Sequence, residues 1–331
     1  MKRRKTYPLD QCPLYRMQSR KKLAQEIFNV ELALLERLDG NASNYRIFDI
    51  QQGEKTRQVE VPKPILERIH RRLFVLFERI EKPDYLHSGV KGRSYITNAR
   101  CHVGPAPLVK LDVKKFYPSV DSARVYRLFQ ETLRCSPDVA GLLVKLTTYD
   151  GHVPTGSCVS QLLAFFAAKP MFDELDSLAA NHETRFTCYV DDMTFSGARA
   201  TPAFLWAAKQ VVHSHGFSYH KDSCYTAGQG KLVTGVLVDK DHIAILPSKE
   251  HALWRQTHDL GNGDLEQRSA AVNSLIGSVV AAGQIEARLL VRLRRLRVVK
   301  AALEQEAQIT FQAFTATEPA IGRTRMTAKA E

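Results

Sequence analysis

The chain has 331 residues with a formal charge of +12 at neutral pH. Its hydrophobic content of 44% excludes an intrinsically disordered protein and is enough for a sizeable core. The positive charge indicates a polyanionic partner, because such a field raises the rate of encounter with phosphates, but charge alone does not identify that partner.

The sequence predicts a soluble, cytoplasmic protein. Its basic start, MKRRKTYPLDQ, is not followed by the apolar segment of a secretion signal. The longest apolar run, LLAFFAA at 162–168, is too short to cross a bilayer, so no membrane partner is expected. The six cysteines lack the spacing of zinc ligands, and we expect them to be reduced structural thiols.

The first part of the chain predicts two helices separated by a hairpin. Residues 20–38 carry an apolar stripe with helical spacing, and GNASN at 40–44 ends this helix. Residues 45–61 alternate like a hairpin that turns near Gln52-Gly53 and is closed by Pro62. Residues 63–82 predict a basic amphipathic helix whose arginines either form a solvated face or contact nucleic acid. These arginines are Arg68, Arg71, Arg72 and Arg79.

Three segments in the middle of the chain carry chemistry. In LVKLDVKKFYPSVD (108–121), an apolar strand brings Asp112 to its end, and an aromatic pair follows. In VPTGSCVSQ (153–161), a Pro–Gly turn opens a helix that Ser157 is able to cap. In TRFTCYVDDMTFS (184–196), strand-forming residues flank Asp191-Asp192, which predicts a hairpin with two carboxylates at its tip.

The paired carboxylates indicate a metal site. Asp191 and Asp192 would repel each other at a tight turn, and divalent cations would offset that repulsion. Asp112 supplies the third carboxylate of a two-metal site for phosphoryl chemistry. Each signal alone has an ordinary interpretation, a solvated turn for the pair and a helix cap for Asp112. Their occurrence together, in this order, favours the metal site.

The last third of the chain carries the strongest basic patch. Residues 288–300 read RLLVRLRRLRVVK, with five arginines, one lysine and no acidic residue. Arg288, Arg292 and Arg295 share one helical stripe, beside a stripe of leucines. Like charges on one helix are destabilising unless an anion lies against them. A solvated face is the alternative, but we favour contact with phosphate.

The central segments resemble, in order, the motifs of the reverse transcriptases. LDVKKFYPSV resembles the first catalytic motif, VPTGSCVSQ the substrate-binding turn and helix, and YVDD the second catalytic motif, over roughly residues 45–240. Asn98-Ala99-Arg100-Cys101-His102 and Val233-Thr234-Gly235 resemble the NAxxH and VTG blocks of the retron reverse transcriptases. Those bacterial enzymes copy part of a structured noncoding RNA into a small single-stranded DNA.

The resemblance implies an α+β fold of the right-hand polymerase type. Its palm would be an antiparallel sheet carrying the catalytic aspartates, and its thumb would be helical. The expected regions are an N-terminal helical region at 1–44, fingers at 45–107, palm at 108–245 with fingers elements interleaved, and a thumb that recognises RNA at 246–331.

The resemblance also implies roles for individual residues. Asp112 and Asp191 would bridge two Mg²⁺ ions, supported by Asp192 and the backbone carbonyl of Val113. Tyr117 matches the steric gate that excludes a 2′-hydroxyl. The expected nucleotide contacts are the backbone at Gly156, Ser157 at the phosphate unless it only caps its helix, and Lys221 as the proton donor to pyrophosphate. The expected RNA contacts are Arg288, Arg292, Arg295, Asn98 and His102; the last two alternatively fix the loop before the catalytic strand.

Two departures from the family pattern stand out. Thr155 occupies a position that usually holds Gln, and Ser160-Gln161 replaces Ser-Pro. Val190 stands where retron relatives more often carry Ala. The first departure puts a side-chain role for position 155 at the nucleotide in doubt.

The expected partners follow from this resemblance. They are a cognate noncoding RNA as template and primer, an RNA–DNA hybrid, deoxynucleoside triphosphates and an effector protein in anti-phage defence. Another prokaryotic reverse transcriptase, from a defence or diversity-generating system, is one alternative. A polymerase-like scaffold that only binds RNA is the other, against which the three clustered carboxylates argue.

Overall fold

The computed structural model describes residues 5–53 and 55–317 and divides the chain into two compact units, Met1–His242 and Ile243–Glu331. The α-helices of the first unit are α1 (Arg20–Lys22), α2 (Leu32–Leu38), α3 (Pro64–Arg79), α4 (Tyr95–Arg100), α5 (Phe116–Ser119), α6 (Ser122–Arg127), α7 (Pro137–Thr147), α8 (Ser160–Asn181) and α9 (Pro202–Ser214). Its strands are β1 (Tyr45–Gln52), β2 (Lys55–Pro62), β3 (Leu108–Val113), β4 (Arg185–Tyr189), β5 (Asp192–Ser196), β6 (Tyr219–Tyr225), β7 (Lys231–Val233) and β8 (Val236–Val238).

The centre of the first unit is a four-stranded sheet in the order β4-β5-β3-β6. Its pairs are all antiparallel, which confirms the predicted α+β class with an antiparallel sheet. The inward-facing residues of β3 and β5, such as Leu111, Val113 and Met193, are fully buried. Helix α8 contributes aromatic side chains to the same core, with Phe165 and Phe172 stacked at 5.7 Å. The ends of β3 and β5 are therefore held rigidly.

The predicted hairpin and basic helix of the first part are confirmed. Strands β1 and β2 pair antiparallel from Tyr45↔Pro62 to Gln52↔Lys55, so Gly53 lies in the turn, as predicted. Helix α3 follows directly, with Pro64 at its first turn, where a missing N–H costs nothing.

The single helix predicted over 20–38 is wrong. After α1 the chain forms a π-helical turn, Leu23–Phe28, and Asn29 then takes a left-handed conformation with φ of 53°. The Arg72 guanidinium, 45 residues away, donates to the carbonyl of Ile27 at 2.8 Å and holds this break. Helix α2 begins after this break, and in it Leu35 is fully buried whereas Leu34 is only partly buried.

The second unit is helical apart from a short strand. Its elements are β9 (Ile243–Ala244), α10 (Pro247–His258), α11 (Leu265–Gly283) and α12 (Arg292–Thr317). Its core contains Leu253, Leu275, Val279, Leu289 and Leu296. Leu289 and Leu296 of the basic segment are thus buried, and Leu293 is partly buried against them. A 3₁₀-helix, Ala287–Val291, precedes α12. No helix in the described part of the chain is both long and apolar enough to cross a membrane.

Candidate active site

The three aspartates converge at one end of the central sheet. Asp112 and Asp192 are directly paired across β3 and β5, and Asp191 lies in the two-residue turn that connects β4 to β5. Like charges at directly opposed positions of an antiparallel pair are destabilising. The fold therefore holds three carboxylates together against their repulsion, as the sequence predicted for a hairpin tip beside a strand end.

The turn that carries Asp191 is strained and firmly held. Val190 has φ of 61°, a conformation that a β-branched residue rarely adopts. Its N–H donates to the Ser88 hydroxyl at 2.9 Å, while the Val113 N–H donates to the Asp191 carbonyl at 3.1 Å. Strain of this kind persists only where surrounding contacts fix it, and it is concentrated at functional sites. The second contact also ties the end of β3 to the turn.

Burial raises the pKa of all three carboxyl groups. The pKa of Asp191 rises to about 6, first because of desolvation and second because of the nearby Asp112 carboxylate. Desolvation is also the main reason that the pKa values of Asp112 and Asp192 are raised. The positive charges near the site therefore do not fully neutralise its three carboxylates.

Two basic side chains partly compensate these carboxylates. Lys110 lies two residues before Asp112, and its ammonium is 3.6 Å from Asp192 Oδ2. The His220 Nδ1 atom is 3.4 Å from Asp112 Oδ1, but the geometry gives no hydrogen bond. Asp112 Oδ1 and Asp192 Oδ1 are buried and have no hydrogen-bond partner.

The donor set fits divalent cations. Carboxylate oxygens are the ligands that Mg²⁺ prefers, and a cation would satisfy the two unpartnered oxygens of Asp112 and Asp192. Across residues 5–53 and 55–317, however, no group of three His, Cys, Asp or Glu side chains is already gathered closely enough to hold a metal ion.

The aspartates open into a cavity of about 880 Å³. Tyr117 lies along its wall and is half-buried, whereas the neighbouring Phe116 is buried in the core. Burial and the negative charge of Asp191 raise the pKa of Tyr117 to about 12, so its hydroxyl is neutral at ordinary pH. Strand β2 forms another side of the cavity and contributes Arg57, whose charge lowers the pKa of Asp191.

Gly156 and Ser157 make protein contacts that the sequence did not predict. A Cβ at Gly156 would lie 2.7 Å from the Glu60 carbonyl oxygen, so the close approach that requires glycine is to β2. The predicted capping role of Ser157 is wrong, because α8 begins at Ser160 without a side-chain cap. The Ser157 hydroxyl accepts a hydrogen bond from the Val159 N–H at 3.3 Å, ahead of the helix, and lies 2.6 Å from Nδ1 of the buried His70.

Lys221 is close enough to influence the aspartates but is displaced by a bulge. The register between β3 and β6 shifts between Lys110 and Asp112, and this places His220 opposite Asp112. Lys221 itself has φ of 52° and is exposed. Its positive charge lowers the pKa values of Asp112 and Asp192.

Asn98 and His102 are buried and bonded within the protein. Both ring nitrogens of His102 lie 2.7 Å from hydroxyls of the central sheet, Nδ1 from Ser196 and Nε2 from Thr187. The amide of Asn98 lies 3.5 Å from the hydroxyl of Thr234, so the NAxxH and VTG blocks meet. Thr234 also lines the cavity. This geometry favours the alternative in which the two residues fix the loop before the catalytic strand.

The three arginines of the predicted stripe in the second unit differ in their exposure and in their ion pairs. Arg288 is held by two carboxylates, with Nη1 2.8 Å from Glu250 Oε1 and Nε 2.5 Å from Glu286 Oε2. Arg292 is half-buried and Arg295 is exposed. The exposed basic face also includes Arg294 and Arg297, which the stripe had not contained.

Several contributors to the site were missed from the sequence. Lys110 could have been predicted to lie beside the aspartates, because residues two apart on a strand point to the same face and Asp112 is two residues after Lys110. His220 reaches the site through the shifted register of β6, and Arg57 through the packing of the β1–β2 hairpin against the sheet end, neither of which a local pattern sets.

The chain matches curated retron reverse transcriptases in sequence. It is 33% identical over 160 residues to the Retron Se72 reverse transcriptase of Salmonella heidelberg, covering 46% of this chain and 41% of that one. It is 29% identical over 264 residues to the Retron Mx65 enzyme of Myxococcus xanthus, covering 73% and 62%. It is 22% identical over 227 residues to the Retron Ec86 enzyme of Escherichia coli, covering 65% and 70%. The chain thus spans less than two thirds of the first two of these relatives.

Solved structures give weaker matches. A telomerase of Candida albicans in complex with a TWJ fragment of telomeric RNA aligns with a TM-score of 0.45 at 11% identity, covering 77% of this chain and 60% of that one. Apo telomerase of Candida tropicalis aligns with a TM-score of 0.48 at 10% identity, covering 81% and 57%. No family model matches the chain. The sequence matches confirm the resemblance drawn from the motifs: this chain is similar to the retron-type reverse transcriptases.

Proposed function

We propose that the protein is a retron RNA-directed DNA polymerase. It would copy part of a cognate structured noncoding RNA into single-stranded DNA joined to RNA, known as msDNA. The observation that carries this proposal is the convergence of Asp112, Asp191 and Asp192, with two unpartnered carboxylate oxygens, at one end of a cavity of about 880 Å³. The similarity to retron reverse transcriptases supports it.

Two Mg²⁺ ions are proposed as the cofactors. Asp112 and Asp191 would hold them, with Asp192 and the Val113 carbonyl in support. Such ions, when bound, activate the attacking hydroxyl and neutralise charge on the triphosphate. Tyr117 lies on the cavity wall, where its ring would face the sugar of the incoming nucleotide.

The remaining parts of the proposal concern the partners of the protein and its location in the cell. The exposed arginines of α12 support contact with the phosphates of the template RNA, because guanidinium groups suit phosphate geometry. All six cysteines are unpaired, which supports a reducing compartment such as the cytoplasm. The proposal also includes three further partners, an RNA–DNA hybrid, deoxynucleotides and an effector protein, and a role in anti-phage defence. It divides the chain into an N-terminal region at 1–44, fingers at 45–107, palm at 108–245 and thumb at 246–331.

The test is to express the gene with its upstream flank and to analyse the nucleic acid that co-purifies. We expect a discrete single-stranded DNA that ribonuclease and a debranching enzyme separate from RNA. Asp191→Asn should abolish this DNA while RNA still co-purifies. Asp176→Asn, at an exposed aspartate of α8, is the matched control and should leave the product unchanged. Bound RNA without branched DNA in the wild type would instead support a reverse transcriptase with different priming, or a scaffold.

A further inference from the structure

An exposed row of three flat rings lies along α10 in the second unit. Trp254 has 50% of its surface exposed, although tryptophan is among the most apolar side chains. Its ring is stacked with that of His251, at a centroid distance of 5.8 Å and an angle of 26°. The ring of His258 lies 4.0 Å from that of Trp254, and the Trp254 carbonyl is 3.1 Å from the His258 Nδ1 atom.

The row is not part of the core of its unit. His251, Trp254 and His258 share one face of α10 because they are spaced three and four residues apart. Leu253, on another side of the helix, is the residue that enters the core. The contacts between the rings hold the indole, while half of its surface stays exposed to the solvent.

The chemistry around the row favours a flat, anionic ligand over an aliphatic protein surface. Arg255 belongs to the same helical face, is exposed, and pairs with no carboxylate among the residues that the structure describes. The other exposed large apolar side chains of this unit lie on different elements. They are Val280 of α11, Leu290 and Val291 of the 3₁₀-helix, and Val298, Val299 and Ile309 of α12.

We propose that His251, Trp254 and His258 form a stacking platform for unpaired bases of single-stranded RNA, with Arg255 on the adjoining phosphate. Every base has a π face, so stacking on aromatic side chains tolerates any sequence, and a nearby cation adds contact with the backbone. A duplex would not bind in this way, because its bases are already stacked on each other. The choice of RNA as the ligand rests on the proposed function.

The chain offers an internal reporter, because it contains only two tryptophans. Trp206→Phe leaves Trp254 as the sole emitter, and Trp254→Phe leaves Trp206, which is 62% exposed and lies on α9 of the first unit. A fluorescein-labelled oligouridine and a blunt-ended RNA duplex serve as probes. We expect the oligouridine to quench Trp254 saturably, the duplex to quench it much less, and neither to quench Trp206.

Anisotropy of the labelled oligouridine then measures affinity. Trp254→Ala should weaken binding about tenfold, Trp254→Phe should retain most of the affinity because it keeps a ring, and Trp206→Ala should bind as the wild type does. Unchanged binding by Trp254→Ala, or equal quenching by the duplex, would overturn the platform and leave the polymerase proposal standing. Binding of neither probe would overturn the platform, whereas the polymerase proposal depends on the cognate RNA and is decided by the nucleic acid that co-purifies. Full RNA affinity in Trp254→Ala, together with loss of a co-purifying protein, would assign the row to a protein partner.

Discussion

Thr155 donates its backbone N–H to Glu60 Oε2 at 2.8 Å, and its hydroxyl lies 3.0 Å from the same oxygen. Glu60 is 4% exposed, so these contacts satisfy a buried carboxylate. They join β2 to the turn before α8, and both residues line the cavity that contains the aspartates. The threonine that replaces the family's usual glutamine therefore has a role in fixing the cavity wall.

Gly156→Ala should weaken both stability and DNA synthesis. The added Cβ would lie 2.7 Å from the Glu60 carbonyl oxygen and 2.8 Å from Val61 Cγ2, so β2 would have to move away from the turn. Overpacking of this kind costs about 1–3 kcal/mol. Urea unfolding and a primer-extension assay measure the two effects. Gly141→Ala, in α7, is the control and should be neutral or slightly stabilising, because the new Cβ would meet no atom within 4 Å beyond its chain neighbours and the backbone of its own helix. Equal behaviour of the two variants would contradict the proposed packing role.

Tyr117→Ala should admit ribonucleotides. The ring lies on the cavity wall beside the carboxylates, where it would occupy the space that a 2′-hydroxyl needs. Selectivity for deoxynucleotides, measured as the ratio of kcat/KM values, should fall by at least about tenfold. Tyr117→Phe keeps the ring and should keep the selectivity. Strict preference for deoxynucleotides in the alanine variant would end the steric-gate hypothesis.

Local patterns in the sequence were enough to find the elements that carry the aspartates. Alternation and turn residues placed the hairpin around Asp191, and the apolar run before Asp112 placed its partner strand. The break at Asn29 could not be predicted, because Arg72 holds it from 45 residues away. Ser157 was misread for the same reason, since its hydroxyl meets His70 of α3. Contacts of this range depend on packing and leave no periodic signal.

Acid should destabilise the protein partly through two buried histidines. Burial lowers the pKa of His70 to about 4 and that of His102 to about 3, whereas an unfolded histidine titrates near 6.5. Between about pH 6.5 and 4 the unfolded chain therefore binds more protons, and the free energy of unfolding falls as the pH falls. Each histidine contributes about 1.4 kcal/mol per pH unit in this window.

The raised pKa of Asp191 acts in the opposite direction, so the test compares variants with the wild type. His102→Gln should be less stable at pH 7, because it loses contacts with two hydroxyls, but its stability should depend less steeply on pH. The free energy of unfolding in urea, measured from pH 7 to 4.5, gives the slope. His213→Gln, at an exposed histidine of α9, should keep the wild-type slope. The same slope in His102→Gln would mean that His102 is not held neutral.

The basic face of α12 should contribute to RNA binding through charge. Arg292→Gln combined with Arg295→Gln removes two cations, one half-buried and one exposed, so fewer counterions would be released on binding. The slope of log affinity against log salt concentration should fall by about one to two. Arg288→Gln is the matched control, because Glu250 and Glu286 already neutralise that guanidinium, and its slope should change much less. An unchanged slope in the double variant would make these arginines a solvated face, whereas an equal loss in Arg288→Gln would mean that RNA displaces its two carboxylates.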